Sequence, residues 1–426
     1  MSHWEIGPAG ALRGRIRVPG DKSISHRSLL FNALAAGEAR VSGLLRAGDV
    51  MSTWACLSAL GVDIEDCGDV VKVKGSAGRL REPSVLLDCG NSGTSFRLLC
   101  GLLAGQPFFS VLTGDKHLKK RPMRRITGPL STMGARFWGP EEASRPPLGL
   151  QGGALVAGDY ASPIASAQVK TAMLLAAIQA KGCLRFDEPH RSRDHSERML
   201  RAMGVEIQEK EGTLWVAGEQ SLTAQDVVVP GDISSAAFFM VGACIIPGSD
   251  LILEGVGLNP TRSGIVDALL AMGANIEILQ VREVSGEKIA DLRICYSALK
   301  GTRIHGAIIP RLVDELPVLA VAAACAVGET VFEDAAELRV KESDRIAATA
   351  AGLLANGIEV EETADGMRIQ GGRLQGGRVD ASGDHRIAMA FAIAARAGGD
   401  SYIEDVDNVA TSFPSFRSLL SEVSSG

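Results

Sequence analysis

One short pattern that recurs five times constrains the fold of this chain more than any other sequence feature. In each copy an apolar, helix-like run ends just before a glycine, and a strand-like run follows directly. Glycine just past a helix end adopts the positive φ that lets the chain reverse, so each copy predicts a helix–turn–strand junction. The junction glycines are Gly61, Gly134, Gly204, Gly273 and Gly357.

The spacing of these junctions, about 70 residues, is longer than the period of solenoid repeats. It predicts several similar α/β subdomains of about four strands and two helices each, with a sixth copy ending the chain near residues 415–420. Coincidence is the alternative, because helix–glycine–strand junctions occur in every α/β protein. The regularity of the spacing disfavours it.

Several predicted helices are rich in Ala, Leu and Met around their whole circumference. They span residues 25–36, 95–104, 165–180, 234–243 and 316–326. Helices this apolar must be covered on most sides, so we expect them to pack inside their subdomains with the sheets outside. The chain has 426 residues, 46% of them hydrophobic, which predicts two or more domains. The sequence Val-Pro-Gly-Asp at 18–21 and again at 229–232 suggests two halves joined at equivalent crossings.

Composition disfavours several classes of protein. A formal net charge of -6 argues against a general nucleic-acid binder. The apolar run at 316–327 is shorter than the roughly 20 residues that cross a bilayer, and the first residues show no secretory signal, so we expect a cytoplasmic protein. Eight cysteines without a CxxC or Cys/His pairing favour reduced structural thiols and predict no metal site.

Residues 20–27, Gly-Asp-Lys-Ser-Ile-Ser-His-Arg, combine a glycine turn, two cations, hydroxyls and a predicted helix start. Backbone N–H groups and the helix dipole favour an anion there, and Lys22 and Arg27 add charge-assisted hydrogen bonds. The order of residues is not that of a Walker loop, which argues against nucleotide triphosphate hydrolysis. A solvated surface loop is the alternative.

Two further segments also predict an anionic ligand. Residues 89–97 hold Gly90 and Gly93, which allow close approach of a ligand to the backbone before a helix, although a simple glycine turn is the alternative.

Residues 116–125 place six Lys and Arg in ten positions. A solvated basic face or an RNA-binding tail would show the same charge, but Pro122 and flanking apolar residues fix this segment inside a structured unit. A small anionic substrate is the simplest interpretation.

In the second half, cations lie beside carboxylates at 341–345 and 384–386, and Asp314 and Glu315 precede an apolar helix. Carboxylates beside cations suit proton transfer at a dianionic centre, where one group accepts a proton and another delivers one. Simple ion pairs are the alternative for any one of these segments.

Together these segments resemble the 5-enolpyruvylshikimate-3-phosphate (EPSP) synthase family, from Gly20-Asp21-Lys22-Ser23 to Ser412-Phe413-Pro414. The resemblance implies transfer of the enolpyruvyl group of phosphoenolpyruvate to the 5-hydroxyl of shikimate 3-phosphate, by addition and elimination through a tetrahedral intermediate with release of phosphate. It implies a monomer of the shikimate pathway without metal or organic cofactor, inhibited by glyphosate. It also implies an inside-out α/β fold of two domains with three repeats each. A discontinuous domain (1–19 and 232–426) and a continuous one (20–231) would hold the active site in the cleft between them.

The resemblance also implies roles for individual residues. Contacts to shikimate 3-phosphate are expected from Lys22, Ser23, Arg27, Ser166, Gln168, Arg193, Asp314 and Lys341. Contacts to phosphoenolpyruvate are expected from Lys22, Gly93, Arg121, Gln168, Arg345 and Arg386. Asp314 would be the base for the attacking hydroxyl and Glu342 the proton donor, with Lys22 reaching both substrates.

Two positions depart from the plant-type pattern: Thr411 stands where that type carries Lys, and Glu337 replaces an Asn. The motifs at residues 92–97 and 339–343 are similar instead to the second bacterial class. A related transferase that acts on UDP-N-acetylglucosamine is one alternative, but its reactive cysteine has no counterpart in residues 115–125. A non-catalytic polyanion-binding relative is another, which the presence of Asp314 and Glu342 disfavours.

Overall fold

The structure, a computed structural model, describes residues 2–424. The strands are β1 (His3–Ile6), β2 (Arg13–Ile16), β3 (Glu38–Ser42), β4 (Asp63–Asp66), β5 (Val70–Lys74), β6 (Leu87–Asp88), β7 (Phe109–Thr113), β8 (Arg136–Trp138), β9 (Leu148–Gln151), β10 (Asp159–Ala161), β11 (Cys183–Asp187), β12 (Ile207–Lys210), β13 (Thr213–Ala217), β14 (Val227–Val228), β15 (Asp250–Gly257), β16 (Asn275–Val284), β17 (Glu287–Cys295), β18 (Arg303–Ile304), β19 (Glu329–Phe332), β20 (Val360–Glu362), β21 (Met367–Gln370), β22 (Arg378–Asp380) and β23 (Ser401–Glu404). The helices are α1 (Lys22–Leu34), α2 (Gly48–Ala59), α3 (Gly93–Ala104), α4 (Arg124–Thr132), α5 (Pro140–Ala143), α6 (Ala167–Ala177), α7 (His195–Ala202), α8 (Ile233–Ile245), α9 (Gly264–Ala271), α10 (Ile309–Leu312), α11 (Leu316–Ala324), α12 (Arg345–Ala355), α13 (His385–Ala397) and α14 (Phe416–Ser424).

The chain divides into two compact units. Unit 1 holds the residues up to Pro19, Pro230–Glu283 and the chain from Lys288 onward, and unit 2 holds Gly20–Val229 and Val284–Glu287. Gly231 lies in unit 1 because its N–H donates to the carbonyl of Gly255 and its own carbonyl accepts from Gly257. The short segment Val284–Glu287 lies in unit 2, where the Glu287 carboxylate is 2.7 Å from Nδ1 of His195.

The strands form small sheets with one repeated topology. Unit 2 holds the sheets β14-β3-β5-β4, β6-β7-β9-β8 and β10-β11-β13-β12, and unit 1 holds β2-β15-β17-β16, β18-β19-β21-β20 and the shorter β22-β23-β1. In each sheet of unit 2 the first two strands in this order run parallel and the later pairs antiparallel. One α/β unit therefore repeats, as the junction spacing predicts.

The junction glycines end helices as predicted. Each lies two residues beyond the last residue of its helix, α2, α4, α7, α9 or α12, and a strand follows. All five have positive φ, from 78° at Gly357 to 115° at Gly134. A side chain in this region would be strained, which explains why glycine recurs there. The predicted sixth copy near residues 415–420 falls in α14, but no strand follows this helix within residues 2–424.

The predicted packing of helices inside the units is confirmed. Every residue of α8 and of α11 is buried, and α3 and α6 pack along each other. The strands instead alternate, as in β3, where Ala39 and Val41 are buried and their neighbours Glu38 and Arg40 are exposed. One face of such a strand therefore covers the helices while the other faces water. Helix α13 is a further buried helix, beyond those predicted from the sequence.

Candidate functional site

In unit 2 the first predicted anion segment begins α1. Asp21 caps the helix, because its Oδ1 accepts the N–H of Ile24 at 2.8 Å. This cap fixes the start of the helix, so that Lys22 and Ser23 lie in its first turn. Nζ of Lys22 lies 3.0 Å from Oδ2 of Asp49, a carboxylate at the start of α2 that belongs to none of the predicted site segments.

Arg27 lies deeper in the same helix and is only 2% exposed. Its Nε donates to Ser196 Oγ and its Nη2 to Thr171 Oγ1, both at 2.7 Å. Its Nη1 donates to the carbonyl of Ser23 at 2.9 Å. These hydrogen bonds join α1 to α6 and α7, and they fix the backbone of Ser23.

The second segment begins α3. Ser92 caps this helix and Gly93 is its first residue, so free N–H groups of the first turn adjoin the glycine. A Cβ added at Gly93 would lie 3.1 Å from Nη1 of Arg121 and 3.1 Å from Nη1 of Arg97. The structure thus brings two guanidinium groups around a helix N-terminus, which is an arrangement suited to an anion. Arg121 is held there by Asn91, whose Oδ1 accepts from its Nη2 at 2.7 Å.

Gln168 and Ser166 lie at the start of α6. Ser166 is the N-cap, and its Oγ accepts the N–H of Val169 at 3.4 Å. Oε1 of Gln168 accepts from Nη1 of Arg97 at 2.6 Å, and its Nε2 donates to Thr94 Oγ1 at 3.0 Å. Arg97 therefore links Gln168 to Gly93, a role that only the tertiary structure reveals.

Unit 1 holds a cluster of three carboxylates around one guanidinium. Arg345, the first residue of α12, is 1% exposed. Its Nε donates to Asp384 Oδ2 at 2.7 Å, its Nη2 to Glu342 Oε2 at 2.7 Å and its Nη1 to Asp314 Oδ1 at 3.1 Å. Arg345, a predicted phosphoenolpyruvate ligand, thus contacts both the predicted base and the predicted proton donor.

The charges of this cluster shift the pKa values of its members. Burial opposes the charged form of Arg345, but Asp384, Glu342 and Asp314 outweigh it and raise the pKa of the guanidinium. Burial likewise opposes ionisation of Asp384, yet Arg345 holds the pKa of that carboxyl below its usual range. Burial lowers the pKa of the nearby Lys341 ammonium, an effect that Asp314 partly offsets.

Arg386 lies in the first turn of α13 and is 8% exposed. Its backbone N–H donates to Oδ1 of Asp384 at 2.9 Å. Within residues 2–424 its guanidinium has no hydrogen bond or ion pair. A buried cation without a protein partner is costly unless a ligand supplies the opposite charge.

The two departures from the plant-type pattern have local partners. Oε1 of Glu337 lies 3.7 Å from Nζ of Lys341, so this carboxylate adjoins a predicted substrate contact. The hydroxyl of Thr411 donates to the carbonyl of Asn408 at 2.6 Å and closes its own turn. Arg193 is half-buried in the segment before α7.

Among residues 2–424 no cluster of His, Cys, Asp and Glu side chains is arranged to hold a metal ion. In the same part of the chain, every helix is too short or too polar to span a membrane.

Comparison with known proteins decides the family. The family model described as EPSP synthase (3-phosphoshikimate 1-carboxyvinyltransferase) matches residues 6–420. The chain belongs to the EPSP synthase family. A 3-phosphoshikimate 1-carboxyvinyltransferase of Geobacter sp. (strain M21) is 51% identical over 426 residues, 99% of each chain. One from Gloeobacter violaceus is 54% identical over 425 residues, 99% of this chain and 98% of that one.

Solved structures agree with this membership. EPSP synthase from Acinetobacter baumannii has a TM-score of 0.90 and 44% identity, covering 100% of this chain and 98% of that one. The enolpyruvyl transferase NikO from Streptomyces tendae has a TM-score of 0.80 at 18% identity, over 99% of this chain and 97% of that one, a likeness of fold alone. The predicted family, α/β fold and assignment to the transferases of the shikimate pathway are therefore confirmed.

Proposed function

We propose that this chain transfers the enolpyruvyl group of phosphoenolpyruvate to the 5-hydroxyl of shikimate 3-phosphate and releases phosphate. The observation that carries the proposal is the buried Arg386, whose guanidinium has no partner within residues 2–424. A second buried arginine, Arg345, shares Asp384 with it, because Asp384 accepts from the side chain of Arg345 and from the backbone N–H of Arg386. Two arginines can bind a carboxylate and a phosphate with paired N–H groups, as phosphoenolpyruvate requires.

Unit 2 also offers cations that suit phosphoenolpyruvate. Arg121, Lys22 and the N-terminus of α3 at Gly93 would neutralise its phosphate, and Gln168 would add a neutral hydrogen bond.

Shikimate 3-phosphate would contact Ser23, Ser166, Arg193 and Lys341. We assign Arg27 a mixed role, since its guanidinium holds the carbonyl of Ser23 as well as α6 and α7. Its contribution to binding would then come partly from ordering the helix start that carries Ser23.

For the chemical step, Asp314 would accept the proton of the 5-hydroxyl while Glu342 delivers a proton to the methylene carbon of phosphoenolpyruvate. The hydroxyl oxygen then bonds to the adjacent carbon. The tetrahedral adduct would lose phosphate and return a methyl proton to the Glu342 carboxylate, which forms the new enol ether. Arg345 contacts both carboxylates, at 3.1 and 2.7 Å, and so fixes the two groups that would move protons. Proton transfer by positioned carboxylates contributes roughly 10²–10⁴-fold to such rates.

Glyphosate would compete with phosphoenolpyruvate at this site. Gly93 leaves open the space between the guanidinium groups of Arg121 and Arg97, where an anionic inhibitor would bind. A methyl group at residue 93 would press on both guanidinium ends, each 3.1 Å from the new carbon.

The proposed activity is tested by measuring inorganic phosphate released from phosphoenolpyruvate, with and without shikimate 3-phosphate. We expect release only when both are present, and no release with UDP-N-acetylglucosamine. Arg386→Gln should raise the KM for phosphoenolpyruvate by about 10-fold or more, whereas Arg368→Gln, on an exposed part of β21, should not. Absence of phosphate release from the wild-type protein would refute the proposed function.

A further inference from the structure

Lys170 is a buried lysine one turn into α6, a helix rich in Ala and Leu. Its side chain is 2% exposed, and its Nζ lies 2.8 Å from Glu197 Oε1 and 2.9 Å from Glu188 Oε1. It also donates to the carbonyl of Ser192 at 3.2 Å. The ammonium therefore joins three elements of unit 2: α6, the segment after β11 and helix α7.

The charges keep this lysine protonated. Burial opposes the ammonium form, but Glu197 and Glu188 outweigh it and raise the pKa of Lys170. Lysine is rarely buried unless it is paired in this way. Because Lys170 lies inside the unit, it cannot itself reach a substrate, and its role must be exerted through the groups that it contacts.

Those contacts converge on one residue of the chain. Glu188 Oε1, which contacts Lys170, also accepts the N–H of Ser192 at 2.8 Å, while Lys170 binds the carbonyl of Ser192. Both backbone polar groups of Ser192 are thus fixed by the same buried ion pair. The next residue is Arg193, a predicted contact of shikimate 3-phosphate.

A second network holds the same segment at its other end. Thr171, next to Lys170 on α6, bonds to Ser196 Oγ at 2.6 Å, and Arg27 donates to both hydroxyls. Ser196 precedes Glu197 on α7. The segment that carries Arg193 is therefore anchored on both sides to α6.

We propose that Lys170 is a positioning residue for shikimate 3-phosphate, which fixes, through Glu188 and Ser192, the backbone that presents Arg193 to the substrate phosphate. This inference rests on the proposed function and on the proposed contact of Arg193. It assigns Lys170, Glu188 and Glu197 to substrate affinity, although none of them touches the substrate.

The test is steady-state kinetics of Lys170→Met, with Lys181→Met as a matched control because Lys181 is exposed in the same unit. We expect Lys170→Met to raise the KM for shikimate 3-phosphate by about 10-fold, the order expected when one charge-assisted hydrogen bond is misaligned. The kcat and the KM for phosphoenolpyruvate should stay within about twofold. Loss of kcat in proportion to a loss of folded protein, with both KM values unchanged, would overturn the proposal.

A double-mutant cycle separates positioning from general damage. If Lys170 acts through Arg193, then Lys170→Met should not raise the KM for shikimate 3-phosphate any further in an Arg193→Gln background. Additive effects would overturn the proposal. Should Lys170→Met fail to fold, the triple variant with Glu188→Gln and Glu197→Gln removes the uncompensated buried charge and is assayed in its place, with the same outcomes expected.

These results distinguish the inference from its premises. A wild-type protein that releases no phosphate would refute the proposed function before any variant is compared. If the wild type is active and Arg193→Gln leaves the KM for shikimate 3-phosphate unchanged, the contact of Arg193 is refuted and the role of Lys170 with it. If Arg193→Gln weakens binding while Lys170→Met does not, the positioning role alone is wrong.

Discussion

Asp384 is the most deeply buried of the three carboxylates that surround Arg345 in unit 1. It is 0% exposed, and its Oδ2 accepts from Arg345 Nε at 2.7 Å and from Ser343 Oγ at 3.1 Å. Its Oδ1 caps α13 through the N–H of Arg386. Asp384→Asn keeps the shape and one oxygen for the cap, but its NH₂ group cannot accept a hydrogen bond from Arg345 or Ser343.

The size of the effect follows from these contacts. Removing one partner of a buried ion pair costs about 3–5 kcal/mol. Arg345 would still contact Asp314 and Glu342, which favours the lower end of this range. In a unit of 150–250 residues each kcal/mol of lost stability lowers the melting temperature by roughly 2–4 °C. The variant should therefore unfold about 6–20 °C below the wild type, with the smaller shifts in this range favoured.

Differential scanning calorimetry at neutral pH measures this shift. Asp63→Asn is the matched control, because Asp63 is exposed on β4 and the change of residue is the same. The control should unfold within a degree or so of the wild type, as surface substitutions usually do. If Asp384→Asn and the control unfold at the same temperature, the reasoning about the buried cluster is wrong.

The remaining predictions concern pH, turnover and inhibition. Arg345 lowers the folded-state pKa of Asp384. The contribution of Asp384 to the free energy of unfolding should therefore be complete above its unfolded-state pKa of about 3.9, and should be lost as the pH falls through its folded-state pKa. The free energies of unfolding of wild type and Asp384→Asn, measured by denaturant titration, should differ by a constant amount above about pH 5 and converge in acid. Asp314→Asn or Glu342→Gln should lower turnover by roughly 10²–10⁴-fold while substrate dissociation constants change much less, and near-normal turnover would remove that residue from the mechanism. Gly93→Ala should weaken glyphosate inhibition by about 10-fold or more, since overfilling a packed site by a methyl costs about 1–3 kcal/mol; equal inhibition constants at several phosphoenolpyruvate concentrations would contradict this.

Local chemistry made the repeat and the helix ends predictable. The junction glycines end helices because their positive φ is a property of the residue itself. The observed helix starts differ from the predicted ones where an N-cap residue sets the start. The helix predicted to begin at residue 25 begins at Lys22, because Asp21 caps it. The helix predicted at 165–180 begins after Ser166 for the same reason. Helix α13 was missed, although its sequence is as rich in alanine as the others.

The motifs identified the candidate residues but did not show which of their charged groups are paired with other groups of the protein. Arg345 and Arg386 lie in similar sequence surroundings, and both were expected to bind phosphoenolpyruvate. The structure shows that Arg345 contacts three carboxylates, while the guanidinium of Arg386 has no partner in residues 2–424. Lys170 gave only a weak signal, as the one charged residue of a helix rich in Ala and Leu.

The sequence by itself determined the repeated α/β unit, the buried helices and the family, because these depend on residue types at short spacings. Tertiary structure alone decided which cations are paired. The partners of Arg27 and Arg345 are 169 and 39 residues away in the chain, at Ser196 and Asp384. An ion pair or hydrogen bond needs its two groups within about 3–4 Å, and only the folded chain brings residues that far apart in sequence so close together.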